Sequence, residues 1–310
     1  MNIELHACTD VGRVRQGNED NFLVLDLAAE RGWTGSDGKG APEELKRIEV
    51  GDKGVVLVVS DGMGGALAGD VASRMAVETV RDMLVEGDGE IESVGNSDMP
   101  LVECLENATN YANSAIHRKS MEDPRCSGMG ATLTAAAVRG QMLDFVQVGD
   151  SRAYLIRGPE IKLATKDQSL VQQLVDVGQI TQEDAETHMF RNVILQALGA
   201  QNELTPVMSR VSLQRGDMVL LCSDGLSGKL RAEEMKEIVA ESEGDLARAC
   251  DALIKEANRR GGEDNITVVL ARFTGEDLPA PDSSEIEVEF FPTPQIEMDD
   301  TDQDDTAPIH

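Results

Sequence analysis

The sequence predicts an α+β fold in which helices cover the outer faces of packed antiparallel sheets. Strand-like and helix-like segments come in blocks, not in βα alternation, and residues 131–163 read as a meander with turns at Arg139-Gly140, Gly149-Asp150 and Gly158-Pro159. Three apolar runs also carry a carboxylate at one end. Val55 to Val59 leads into Ser60-Asp61-Gly62, Met218 to Cys222 leads into Ser223-Asp224-Gly225, and Glu263-Asp264-Asn265 opens onto Ile266 to Leu270. Such runs are buried strands, so their acids stand where rigid backbone stops and a site can begin.

Along the chain, residues 2–9 and 19–26 have strand character and flank a polar turn containing Arg15, Gly17 and Asn18. Residues 28–54, rich in Gly, Lys and Glu, read as a surface insertion. After the Val55 strand, apolar residues recur at helical spacing from about Ala66 to Val85 and from about Leu101 to Met121, with Pro100 suited to open the second helix. Residues 167–200 read as short helices and loops, 204–223 as two strands, 231–260 as two helices and 265–273 as a last strand. Residues 275–310 contain twelve acids, five prolines and no Lys or Arg, a composition that cannot bury enough apolar surface to fold alone. The expectation is one domain over residues 1–274 and an acidic disordered tail over 275–310.

Composition narrows the function. With 28 basic against 57 acidic residues, the formal charge of -29 opposes binding to nucleic acid or to an anionic membrane, both of which need a basic footprint. Neither an apolar leader nor a run of some 18 apolar residues is present, so a soluble, cytoplasmic chain is expected. The five cysteines are widely spaced and odd in number, which suits free thiols. The four histidines are scattered without H-E-x-x-H or C-x-x-C spacing, which argues against zinc. A phosphate-binding nucleotide loop is opposed by the lack of G-x-x-x-x-G-K-[ST] near the glycines at 62–65 and 128–130. Buried acids still need a partner, and where bases are few a divalent cation is the simplest one for several converging carboxylates. The chain is thus a candidate metal-dependent hydrolase.

Six motifs in order sharpen this: Asp10 to Asp20 with Arg15 inside it, Asp61-Gly62-Met63-Gly64-Gly65, Gly128-Met129-Gly130-Ala131-Thr132, Val148-Gly149-Asp150-Ser151-Arg152, Ser223-Asp224-Gly225 and Gly262-Glu263-Asp264-Asn265. Together they resemble the PP2C (PPM) family of metal-dependent serine/threonine phosphatases in its bacterial form, from about Ile3 to Phe273. The resemblance implies a four-layer α-β-β-α sandwich, two antiparallel sheets flanked by helices, with two Mn²⁺ or Mg²⁺ ions in a cleft at one end. It implies that Asp61 bridges both metals, that the Gly62 carbonyl binds one, and that Asp224 and Asp264 bind the other. Glu19 and Asp20 match positions that hold metal-bound waters, Asp150 matches an acid used for a possible third ion, and Arg15 matches the arginine that grips the substrate phosphate. A flap is implied near residues 165–192.

The chemistry agrees. Phosphate monoesters hydrolyse very slowly unaided, and paired divalent cations roughly 4 Å apart can supply a nucleophile at neutral pH. Hard oxygen donors suit Mn²⁺ or Mg²⁺, and Arg15 offers a planar fork to two phosphate oxygens. Two departures stand out. Met63 lies where animal members often carry a histidine, and Asp167-Gln168-Ser169 lies where many relatives read Asp-His-Ser. The expected partners are phosphorylated proteins, including a Ser/Thr kinase, and the chain is expected to be a monomer. The alternative is a pseudophosphatase or phosphoprotein-binding regulatory module, which the retention of every expected metal carboxylate opposes, since buried like charges repel without their ions.

Overall fold

The structure, a computed structural model, describes residues 1–37, 42–65, 67–87, 93–94, 98–282 and 285–292. The first half contains β1 (Asn2–Asp10), β2 (Asp20–Asp26), β3 (Arg31–Thr34), α1 (Glu43–Lys46), β4 (Arg47–Glu49), β5 (Val55–Met63), α2 (Ala68–Val85) and α3 (Leu101–Glu122). Next come β6 (Gly130–Ala131), β7 (Leu133–Arg139), β8 (Met142–Val148), β9 (Arg152–Arg157), β10 (Glu160–Leu163), α4 (Leu170–Asp176) and α5 (Gln182–Thr187). The chain continues through β11 (Val207–Ser212), β12 (Met218–Cys222), α6 (Asp224–Ser227), α7 (Ala232–Glu241), α8 (Leu246–Arg259), β13 (Ile266–Thr274) and β14 (Glu289–Phe290).

One sheet has the order β10-β9-β12-β13-β1-β4 and the other β14-β11-β8-β7-β5-β2-β3, with β6 pairing beside β5. The pairings among these strands are antiparallel. Strand β5 shows how the four layers arise. Its side chains alternate, so Val56 and Val58 face α2 and α3 while Val55, Leu57 and Val59 face the other sheet. On the opposite side, Leu246, Ala249, Cys250, Leu253 and Ala257 form one face of α8 and pack on Val268 and Leu270 of β13. Each such Leu or Val stabilises the fold by about 1.5–3 kcal/mol when fully buried. The two-sheet, helix-flanked architecture is the one expected from the sequence.

Two segments differ from expectation. Among the described residues of 28–54, the chain joins the sheets and is not only a surface insertion: β3 and β4 are edge strands, one in each sheet. Trp33, Leu45 and Ile48 are buried between the sheets, and Trp33 meets Phe22 edge-to-face at 4.8 Å. Few apolar residues stand in this polar stretch, yet these three are in the core.

The expected disordered tail is also ordered through its described part. Leu278 and Ile286 are buried in the inter-sheet core, β14 pairs with β11, and the Met1 ammonium donates to Asp277 at 2.6 Å. Acidic composition does not prevent docking when a few apolar side chains fill gaps in an existing core. The remainder of that expected tail, 293–310, lies outside the described residues.

Candidate metal centre

Antiparallel register brings the acids to one end of the sandwich. Asp20, the first residue of β2, pairs across from Asp61 near the end of β5. Asp224 follows β12, Asp264 precedes β13, and Asp150 lies in the turn between β8 and β9. Strand β5 does not stop at Asp61 as its sequence suggests, because Gly62 and Met63 pair with Ala131 and Gly130 of β6.

Hydroxyls and amides hold the buried part of this cluster, and Arg15 holds Asp264 at its rim. Asp20 Oδ2 accepts from Ser223 Oγ and Thr267 Oγ1, both at 2.7 Å. The Glu19 backbone N–H donates to Asn265 Oδ1 at 2.8 Å, and Asn265 Nδ2 donates to the carbonyls of Val11 and Gly17. Asn265 thereby seats the Arg15 turn against the acids. Gly12 allows the same close approach from the other side: its φ is +79°, and a Cβ there would lie 2.3 Å from the Asp264 carbonyl oxygen. Arg15 reaches Asp264 Oδ2 at 2.8 Å and comes within 3.8 Å of Glu19. Its side chain stays 46% exposed at the rim, where it can turn toward an incoming anion.

Three buried carboxylate oxygens, Asp20 Oδ1, Asp150 Oδ1 and Asp224 Oδ1, have no hydrogen-bond partner. Burial pushes Asp20 up to about 7 against the pull of Ser223 and Thr267, and pushes Asp150 up to about 8 with help from Asp224 and Asp167. Asp61 is raised well above the ordinary carboxylate range, first by burial and then by Asp20, Asp224, Asp150 and Asp264. Asp224 is raised, first by burial and then by Asp264, with Arg15 and Arg152 opposing. Burial also raises Glu19, with Arg15 opposing. An acid set in this state binds protons for want of another cation.

Among the described residues, no three His, Cys, Asp or Glu side chains form a preassembled metal-ligating cluster. The positions explain this: Asp264 is drawn to Arg15, and Asp20 is turned onto two hydroxyls. The donor set still fits hard divalent cations, being all oxygen, unpartnered in three places and short of counter-charge.

Some positioning residues were not singled out from sequence. Ser223 and Thr267 are fully buried hydroxyls at the ends of apolar strands, and that polar interruption is the signal that could have found them. Gly69, at the start of α2, admits the Glu19 carboxylate so closely that a Cβ would lie 1.9 Å from Oε2. Gln168 has a structural role. Its amide N–H donates to the Gly149 carbonyl at 2.8 Å, and its side-chain oxygen accepts from the Gly149 N–H at 3.0 Å. Arg152 pairs with Asp167 at 2.7 Å, leaving Asp150 without that counter-charge in direct contact.

The sequence profile described as protein phosphatase 2C matches residues 44–270. The chain belongs to the protein phosphatase 2C family. Family relatives include the serine/threonine phosphatase Stp of Listeria innocua, 36% identical over 267 residues that cover 84% of this chain and 92% of that protein. Among solved structures, the Mycobacterium tuberculosis serine/threonine phosphatase PstP/Ppp superposes with a TM-score of 0.70 at 34% identity, covering 89% of this chain and all of that one. The PstP catalytic domain in complex with two manganese ions superposes with a TM-score of 0.68 at 33% identity, covering 88% of this chain and 99% of that one.

Proposed function

We propose that this chain is a metal-dependent protein serine/threonine phosphatase that hydrolyses phosphoserine and phosphothreonine in phosphorylated proteins. The observation that carries the reading is the group of buried, unpartnered carboxylate oxygens on Asp20, Asp150 and Asp224 around Asp61, with a mobile-length arginine at the rim. Family membership and the names of the relatives support it.

In this reading Asp61, the Gly62 carbonyl, Asp224 and Asp264 would hold two Mn²⁺ or Mg²⁺ ions, with Glu19 and Asp20 bonding the waters around them and Asp150 serving a third. Bound divalent cations would supply a nucleophile from water at neutral pH and neutralise charge on the phosphoryl oxygens. Arg15 would exchange Asp264 for two phosphate oxygens and orient the ester. Ser223 and Thr267 fix the Asp20 carboxylate, so that its free oxygen keeps its direction. Met63 carries no titratable proton, so the leaving alkoxide would take its proton from solvent within the cleft and not from this side chain. Further parts of the proposal are a monomeric, cytoplasmic enzyme whose substrates include a Ser/Thr kinase.

The test is phosphate release from p-nitrophenyl phosphate and from a phosphothreonine peptide with Mn²⁺, Mg²⁺ or EDTA. Turnover with metal and none with EDTA is expected. Tight phosphopeptide binding without release under all metals would favour the pseudophosphatase reading instead.

A further inference from the structure

Residues 285–292 join the two roots of the segment that connects β10 to β11, the segment carrying α4 and α5 and containing the expected flap. At the first root, Lys162 Nζ of β10 donates to the Ile286 carbonyl at 2.7 Å, and the Ile286 N–H donates to Glu160 Oε2 at 3.1 Å. At the second root, Ser209 and Arg210 of β11 pair with Phe290 and Glu289, and the Phe291 N–H donates to the Met208 carbonyl at 3.0 Å. The Arg210 guanidinium lies 5.2 Å from the centroid of the Phe291 ring. Ser209 Oγ donates to the Ala164 carbonyl at 2.5 Å, so the roots also touch each other. Ile286, wholly buried between the sheets, pins the span between them.

The same roots lead to the acid cluster. Past β10, Thr165 Oγ1 accepts from the Ala153 N–H, Asp167 pairs with Arg152, and Gln168 grips Gly149 beside Asp150. Gln168 Nε2 also donates to the Thr205 carbonyl, just before β11. A shift of either root is therefore passed to the flap and to the loop of Asp150 through short, directional bonds. The flap itself exposes Val177, Met189 and Phe190, apolar side chains suited to contact a polypeptide and of little use to a small ester. The strap lies beyond the family match, which stops at residue 270.

We propose that residues 285–292 are a strap that sets the position of the flap and thereby the preference for phosphorylated polypeptide over small phosphate esters. This rests on the phosphatase reading above. The strap is a positioning element: it touches neither the acids nor the phosphate, so it acts on recognition of the polypeptide and leaves the hydrolytic step alone.

The test uses the full chain with Lys162→Met and Phe291→Ala combined, which unpins both roots, beside a chain ending at Thr274. Hydrogen exchange of residues 165–195 is expected to speed up by about tenfold. The KM for a phosphothreonine peptide is expected to rise by about threefold or more, while kcat/KM for p-nitrophenyl phosphate stays within about twofold. If the shortened chain does not fold, the double variant carries the test. Loss of protection in the strap with unchanged exchange in the flap would overturn the proposal, as would equal losses on peptide and small ester. If the parent chain hydrolyses neither substrate, the phosphatase reading fails and the exchange data alone decide whether the strap holds the flap.

Discussion

Asp217 and Asp20 are both buried carboxylates, yet they sit in opposite regimes. Asp217, in the turn before β12, is saturated: Arg157 donates to its two oxygens at 2.9 and 2.7 Å, and the Gln214 N–H adds a third bond at 2.8 Å. Asp20 has two hydroxyls on one oxygen and nothing on the other, and its neighbours Asp61, Asp150 and Asp224 are acids like itself. A buried acid with both oxygens paired to a cation belongs to the architecture, because its charge is answered within the chain. A group of half-paired acids is stable only as a binder of external positive charge.

Substitutions can break that comparison on either side. The largest effect is expected for Asp61→Asn, which should lower metal-dependent turnover by about 10³-fold or more. It should not lower the thermal stability of the metal-free protein, since it removes one of several mutually repelling groups; initial rates and a melting curve on the same sample check both. Arg157→Met should do the reverse. Leaving Asp217 buried without its cation costs about 3–5 kcal/mol of stability, read by urea unfolding, while the folded fraction keeps its specific activity.

Thr267→Val sharpens the comparison within the site, because it strips one of the two hydroxyls from Asp20 and changes no acid. A 10–100-fold weaker half-saturating Mn²⁺ concentration is expected, roughly the effect of losing an outer partner of a metal site.

A smaller effect concerns pH. Asp20 and Asp150 titrate at about 7 and about 8 in the folded chain, from an ordinary value of 3.8. Between those limits the native state holds protons that the unfolded state has lost, so stability falls as pH rises from about 4 to about 8. Melting temperature should follow that slope in EDTA, and Mn²⁺ should raise it more at pH 8 than at pH 5.5, because metal and protons compete for the same oxygens. A metal-independent slope would mean that the acids are not the groups responsible.

Much of the site could be read from the sequence because its signal is abrupt. A run such as Val55 to Val59 has one physical reading, and a charge directly after it must be answered by something. In the structure Asp20, Asp150, Asp224 and Asp264 lie near enough to Asp61 to raise it, which is proximity and not yet a test of their roles. What escaped was of two kinds. Trp33, Leu45, Ile48, Leu278 and Ile286 are isolated apolar residues in polar stretches, where local composition conceals a single side chain that fills a preformed gap. Ser223, Thr267 and Gln168 act through hydroxyl and amide hydrogen bonds; a buried hydroxyl at the end of an apolar strand marks the first two, but the partners lie elsewhere in the chain and local sequence does not name them.

The central claim is that the acid end of the sandwich is completed by divalent cations, and calorimetric titration of the metal-free full chain with Mn²⁺ tests it most directly. Binding of at least two ions per chain is predicted, accompanied by proton release near pH 7 and severely weakened by Asp61→Asn. Heats no larger than dilution, or binding that Asp61→Asn leaves unchanged, would contradict it.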